Sequence, residues 1–283
     1  MASTGARLVR RPAVAGTFYP GTEDELRNNV HYYLNHEIEP LSDVVGIVAP
    51  HAGYMFSGKV AGTVYGAVRE LSPETIVLIG PSHFEYFEGI CVYKGDAFQT
   101  PLGEVPVDTE FRERLVQAGN GIFAGIQGHG SNGQGEHCLE VQLPFLQELY
   151  DEFAIVPVIM GEQDWPTCEA LAGALAEVCS DRNCLIIASS DLSHYHSYEV
   201  AQVIDARFIE MLQRGEPKAL AEALEKREVE ACGGGPVVAT QLASQRLGAD
   251  KTKVLLYQNS GDVWVDKTRV VGYLAAAFTR NHG

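Results

Sequence analysis

Val44-Val45-Gly46-Ile47-Val48-Ala49 (VVGIVA) is an apolar run that passes directly into Pro50-His51. Its length and β-branched content fit a strand buried on both faces better than a helix. The arrangement recurs twice. TIVLIG (75–80) runs into Pro81-Ser82-His83, and CLIIASS (184–190) into Asp191-Leu192-Ser193-His194. A proline cannot extend a hydrogen-bonded ladder, so it turns the chain where the strand ends. In an open α/β sheet, ligands bind in the crevice beyond the carboxyl ends of the strands. Three such strands bring His51, His83 and His194 to one edge. A lone strand-end histidine is more often a satisfied polar residue than a ligand; the recurrence is what points to a shared site.

Outward from these strands, apolar runs alternate with amphipathic helical patterns. A first helix starts at Thr22, with Glu25 completing a capping box and Leu26, Val30, Tyr33 and Leu34 on one face. A second, Lys59–Leu71, aligns Val60, Val64, Ala67, Val68 and Leu71. Further helices are expected at Leu139–Tyr150, Thr167–Cys179, Val200–Arg214, Pro217–Lys226 and Pro236–Arg246, the last with its proline in the first turn. Further strands are expected at Ile90–Tyr93, Ala154–Met160, Val254–Asn259 and Arg269–Ala276. Thr100–Val107 reads as a turn-rich excursion and Gly125–Gly135 as a flexible glycine loop. No linker or short repeat divides the chain. The expectation is one α/β domain over residues 1–283, three layers deep (α/β/α), with a central mixed, mostly parallel sheet.

With 46% hydrophobic and 20% charged residues, the 283-residue chain can bury a substantial core. No apolar run approaches the roughly 18–20 residues of a membrane span. Met1–Arg11 is basic but lacks a following apolar signal region, so a cytoplasmic location is expected. The formal net charge of −16 argues against nucleic-acid and membrane-surface partners, which require positive charge. A local basic pocket for an anionic substrate is still compatible with it. Oligomeric state is not readable.

The six cysteines form no CxxC pair, which disfavours zinc fingers and disulfide scaffolds. Cys91, Cys179 and Cys184 stand among apolar neighbours and read as small buried hydrophobes. Cys232 differs. In Glu230-Ala231-Cys232-Gly233-Gly234-Gly235-Pro236, the glycines permit close approach and positive φ, and the next helix presents its N-terminus. That setting lowers a thiol pKa and favours a thiolate for metal binding or nucleophilic attack; a hinge beside a buried cysteine is the plainer alternative. Neither glycine stretch ends in the GK[ST] of a phosphate loop. Glu136-His137 sits where the glycine loop enters a helix, so Glu136 could cap that helix and His137 face the crevice. His31, His36, His129, His196 and His282 lack such context and read as surface residues.

APHAGYMFSG (49–58), GPSH (80–83), GEHCLEVQLPFLQ (135–147), SSDLSHY (189–195) and the ACGGGP turn, together with AGTFYP (15–20), resemble the Memo family. The segments span nearly the whole chain in order. The family is similar in fold to the catalytic subunit of protocatechuate-cleaving extradiol dioxygenases, which bind non-haem Fe(II). The resemblance implies that His51 and His83 take the places of the two iron-binding histidines. Cys232 falls where the dioxygenases have a glutamate. His194 matches their catalytic histidine, Asp191 its nearby carboxylate, and His137 would face the same pocket.

Two histidines and a carboxylate make the facial triad of oxygenases; a thiolate in place of the carboxylate makes a softer site. The expected cofactor is one metal ion, Fe(II) or copper, with zinc also compatible. The first functional reading is a dioxygenase-like, metal-dependent oxidoreductase with His194, Asp191 and His137 as catalytic residues and Tyr54 and Tyr195 as pocket walls. The second is a non-catalytic scaffold using the cleft for a peptide or small ligand. The third is metal-assisted hydrolysis. All three share one geometric expectation: His51, His83 and Cys232 converge within roughly 4 Å of a common centre, with His194 and His137 on the same cavity.

Overall fold

Apolar runs too short for a helix and too apolar for a surface strand must be covered on both sides. The computed structural model, which describes residues 7–35, 37–130 and 135–281, builds them into the centre of one sheet. In chain order the elements are β1 (Val9–Arg10), α1 (Glu23–Leu34), β2 (Val44–Ala49), α2 (Tyr54–Ala67), β3 (Thr75–Pro81), β4 (Ile90–Tyr93), β5 (Ala97–Thr100), β6 (Gly103–Pro106), α3 (Thr109–Ala118) and β7 (Ile122–Gly125). A 3₁₀ turn (Glu140–Gln142) leads into α4 (Leu143–Leu149), followed by β8 (Ala154–Met160), α5 (Trp165–Cys179), β9 (Cys184–Ser189), β10 (Asp191–His196), α6 (Tyr198–Arg214), α7 (Pro217–Glu225), α8 (Gly234–Arg246), β11 (Lys251–Asn259) and β12 (Val270–Thr279).

The main sheet runs β10-β12-β2-β9-β3-β8-β4-β7, with β11 also paired to β12. Its centre, β2-β9-β3-β8, is parallel. Antiparallel pairing begins at β12 against β2 and at β4 against β8. Alternate residues of the central strands feed two cores. Val77, Ile79, Ile186 and Ala188 pack with Phe111 of α3, Leu171 of α5, Phe208 of α6 and Val237 of α8. Ile76, Leu78, Leu185 and Ile187 face the other way, onto Leu26 of α1, Val60 of α2 and Phe145 of α4. This is the three-layer α/β/α arrangement with a mixed sheet that the apolar runs imply.

Several local expectations are corrected. The excursion at Thr100–Val107 belongs to a β5–β6 hairpin, which joins β1 in a separate small sheet. α3, β7 and β10 were not foreseen. α2 starts at Tyr54 rather than Lys59 and carries glycines within it; a Cβ on Gly62 would collide with the Tyr33 carbonyl, so the glycine lets α1 lie close. Thr22 is the N-cap of α1, but its hydroxyl donates to the Glu25 side chain (2.7 Å) and the backbone capping box does not form. Pro236 is the third residue of α8, because the helix already begins at Gly234.

Cys91 and Cys179 are buried as expected, whereas Cys184 is only half-buried at the start of its strand. His129 is not a surface residue. It is buried beside Tyr93 and Phe98, with Nε2 donating to the Cys91 carbonyl at 3.2 Å. His31 is exposed and pairs with Glu148, and His196 is half-buried against Glu230. His36, His282 and residues 131–134 of the glycine loop lie outside the described residues. Among those described, no helix is long and apolar enough to cross a membrane.

Candidate metal centre

β2 and β3 end side by side around β9, and each releases its chain through a proline into a histidine. His51 is buried at the end of β2, held through its main chain: the Asp191 carboxylate accepts the His51 N–H at 2.8 Å. The tautomer of His51 follows from its neighbours. Ser189 Oγ donates its only hydrogen to the Cys138 carbonyl (2.6 Å) and accepts from Gln142 Nε2 (2.9 Å). It must therefore accept again from His51 Nδ1 at 2.9 Å, which leaves His51 Nε2 as a bare lone pair. That lone pair faces Cys232 Sγ at 3.1 Å.

His83, after β3, is fixed by Glu136. The carboxylate accepts from His83 Nδ1 (2.9 Å), the His83 main-chain N–H (2.8 Å) and the main-chain N–H groups of His137 (2.8 Å) and Cys138 (3.1 Å). With Nδ1 committed as a donor, His83 also offers Nε2. One ligand atom from each of His51, His83 and Cys232 lies within 4.8 Å of the others. A tetrahedral site with bonds of about 2.0–2.3 Å spaces its donors roughly 3.3–3.8 Å apart, a spacing that falls within the 4.8 Å span of these atoms. Glu136 also groups with His83 and His137, but its oxygens are occupied by the donors just named.

Cys232 is brought in by the turn before α8. Its N–H donates to the Asp191 carbonyl (3.2 Å), and the Asp191 N–H points back at its sulfur (3.3 Å). Gly233 N–H donates to Ser190 Oγ (3.0 Å), and Gly235 N–H to Gln163 Oε1 (2.8 Å). The glycines serve close approach, not the positive φ that the sequence suggested: Gly233 has φ −103, and a Cβ there would strike the Ser189 carbonyl. The expected lowering of the thiol pKa is also corrected. Burial, then the Asp191 charge, pushes Cys232 well above the ordinary thiol range.

Electrostatics separate the three histidines. Burial, with His83 next, lowers His51 to about 3, and burial, with His51 next, lowers His137 to about 4. Burial also pulls on His83, but hydrogen bonding and charge from Glu136 outweigh it and raise the pKa. Glu136 itself, despite its burial, is held well below the carboxylate range by His83 and the converging N–H groups. Asp191 is raised by burial. Its buried carboxylate serves the His51 and Ala52 main-chain N–H groups.

His137 stacks on His83, ring centroids 5.0 Å apart and planes 16° apart, and it also meets Phe18, centroids 4.6 Å apart. His194 sits on β10, where the pairing with β12 slips on both sides of it and Tyr195 takes φ 64. These bulges re-aim the side chain. His194 Nδ1 donates to the Leu192 carbonyl at 2.8 Å, again leaving Nε2 free. His194 and Cys232 line a cavity of about 620 Å³ together with Leu192, Trp165, Leu224 and Arg227. His51, His83 and His137 are not part of that lining, so Cys232 alone of the three candidate ligands reaches it. Tyr54, expected as a wall, is not part of it either: it is buried, its hydroxyl on the Val141 carbonyl. Tyr195 is exposed beside Arg269.

Sequence reading missed Ser189, Gln142 and Phe18. Ser189 and Gln142 are polar residues inside apolar runs, which was the available signal; Phe18 reaches the site only through the fold.

A profile of the Memo-like protein family matches residues 10–277. A MEMO1 family protein from Methanopyrus kandleri is 39% identical over 96% of this chain and 100% of its own length. Another, from Methanosarcina mazei, is 40% identical over 94% and 98%, and one from Nitrosopumilus maritimus 34% identical over 96% and 100%. The crystal structure of an uncharacterized protein from Escherichia coli K12 superposes with a TM-score of 0.51 at 11% identity, covering 83% of this chain and 99% of that one, a likeness of fold alone. On the profile and these relatives, the chain belongs to the Memo-like protein family.

Proposed function

We propose that His51, His83 and Cys232 hold one metal ion and that the chain is a metal-dependent oxidoreductase acting, as one cytoplasmic domain, on a small molecule or peptide. The observation that carries this reading is that one ligand atom each of His51, His83 and Cys232 lies within 4.8 Å of the others, with His51 Nε2 3.1 Å from the sulfur and both Nδ1 atoms hydrogen-bonded elsewhere. Ligating histidines characteristically give their other ring nitrogen to a fixed partner. Two imidazoles and a thiolate suit copper, tolerate Fe(II), and fit zinc. When bound, such an ion supplies redox or Lewis-acid chemistry.

The chain's own residues supply the rest. Glu136 and Ser189 fix the two imidazoles, and Asp191 positions His51 by its main chain. His194, with Nε2 free at the cavity that Cys232 also lines, takes or gives a proton to a ligand there. His137, kept neutral by burial, is a second proton acceptor beside His83. The test is anaerobic purification, metal analysis, and oxygen consumption by the loaded protein. Metal at one equivalent with no oxygen uptake for any added reductant would favour a binding scaffold instead. Equal metal content in His51→Ala and the parent would overturn the centre itself.

A further inference from the structure

A fourth strand of the crevice also delivers a side chain. β8 runs parallel to β3 with Met160 opposite Pro81, so the segment after β8 leaves the sheet at the same edge as His83. Within it, Gln163 stands just before Asp164, the N-cap of α5, and reaches across to the turn that carries Cys232. Gln163 Nε2 donates to the Cys232 carbonyl at 3.0 Å, and its Oε1 accepts the Gly235 N–H at 2.8 Å. The stem of the side chain is just as close. A Cβ on Gly235 would lie 2.7 Å from Gln163 Cβ and 2.9 Å from its Cγ.

We propose, resting on the assignment of Cys232 as a metal ligand, that Gln163 is the residue that positions its sulfur. The Cys232 main chain is held from both sides, its N–H by the Asp191 carbonyl at 3.2 Å and its carbonyl by Gln163, with Sγ 3.1 Å from His51 Nε2. An amide suits both of its partners. A lysine could donate to the carbonyl but not accept the N–H, and a carboxylate could accept but not donate. The opposite demands of the two partners also fix which way the amide points. The same contact completes α8. Its N-cap, Gly233, has no side chain to offer, and the Gly235 N–H is one of the first-turn donors left without an intrahelical partner. Gln163 supplies that acceptor from 72 residues away.

One side chain thus joins two roles that substitutions can separate. Capping α8 needs only the acceptor oxygen and is felt in stability. Positioning Cys232 needs the donor as well and is felt at the metal. Gln163→Met keeps the stem that lies across Gly235 and removes both hydrogen bonds. Gln163→Glu keeps an acceptor for Gly235 and removes the donor to Cys232. Gln163 is exposed, so either variant leaves the core intact.

The test uses the full chain, stripped of metal and kept anaerobic and reduced, with Co(II) alone as the probe. In the parent, sulfur ligation gives a thiolate-to-cobalt charge-transfer band in the near ultraviolet that is absent in Cys232→Ser. Gln163→Met is expected to raise the Co(II) Kd about tenfold, as for other residues that orient metal ligands, and to weaken that band per bound ion at saturation. Gln163→Glu is expected to keep the parent's melting temperature yet show the weakened band, because an added surface charge shifts affinity without restoring the sulfur's placement. In the metal-free chains, hydrogen exchange at the Gly235 amide is slow in the parent and in Gln163→Glu and fast in Gln163→Met. An unchanged Kd and band in Gln163→Met, a full band in Gln163→Glu, or a fast Gly235 amide in the parent would each overturn the proposal and leave the metal centre standing. A parent without the sulfur band would overturn it by removing Cys232 as a ligand.

Discussion

His51 Nε2 and Cys232 Sγ stand 3.1 Å apart, although 181 residues separate them in the chain. The nitrogen carries a lone pair because Ser189 has taken the other tautomeric position. The sulfur also accepts the Asp191 N–H at 3.3 Å. A cation placed there would take the nitrogen lone pair and, once the thiol proton is displaced, the sulfur.

The orienting carboxylate should matter nearly as much as a ligand. Glu136→Gln keeps an acceptor oxygen but removes the charge that raises His83 and one of the acceptors for four converging N–H groups. Metal affinity is expected to fall about 10- to 100-fold, as for other partners of ligating histidines. Titration with a chelator-buffered metal measures it; an unchanged affinity would leave Glu136 a purely structural residue.

The turn that delivers Cys232 depends on having no side chain at Gly233. Gly233→Ala places a methyl against the Ser189 carbonyl and the Ser190 side chain, both on the segment that carries Asp191. The backbone must move, at a cost of about 1–3 kcal/mol, and Cys232 moves with it. Thermal unfolding and metal titration of one variant should therefore fall together; lowered stability with intact affinity would mean that the turn and the thiol are not coupled.

Acid sensitivity should come in part from His129. Its burial lowers the pKa from 6.5 to about 3. Between those values the unfolded chain binds the proton and the folded chain does not, so stability is complete above about pH 6.5 and drains away as pH falls toward 3. At pH 5 the loss from this group is about 2 kcal/mol. His129→Phe should weaken the protein at pH 7, where the hydrogen bond to Cys91 is lost, yet flatten the fall between pH 7 and 5. Denaturant midpoints at both pH values give the comparison, and parallel slopes would sink the assignment.

Much of the fold is legible because burial writes itself into short apolar runs: β4 and β8 lie at their expected residues, as β2 and β9 do. α3 was missed because Thr109–Ala118 buries only Phe111 and Leu115, too few to show a helical stripe. β10 was missed because Asp191-Leu192-Ser193-His194-Tyr195-His196 is polar and bulged, as a strand bordering a polar crevice has to be. In the candidate site, proline-histidine junctions mark His51 and His83. Ser189, Glu136 and Gln142 act through contacts set by the packing of distant segments, so their roles are invisible locally. The acidity expected of Cys232 failed for a related reason: the helix N-terminus is readable in sequence, the buried Asp191 beside the sulfur is not.

The identity of the third donor should set which metal the centre prefers. A thiolate is soft and strongly donating, and a carboxylate is hard, so Cys232→Glu should shift relative preference from copper and zinc toward Fe(II). Cys232→Ser replaces the thiolate by a neutral hydroxyl, a poor ligand at pH 7, and should weaken soft-metal binding. His51→Ala removes a donor common to every scheme and should weaken all metals alike. In the parent, binding must also displace the thiol proton, because burial and Asp191 hold Cys232 protonated in the metal-free chain. Metal uptake should therefore release a proton, and affinity should rise with pH. Competitive titration of Fe(II), Zn(II) and Cu(I) under anaerobic reducing conditions, on the parent and the three variants at two pH values, reads all of this. Affinities retained in Cys232→Ser but lost in His51→Ala would make the cysteine a bystander, and pH-independent binding by the parent would say the same by a different route.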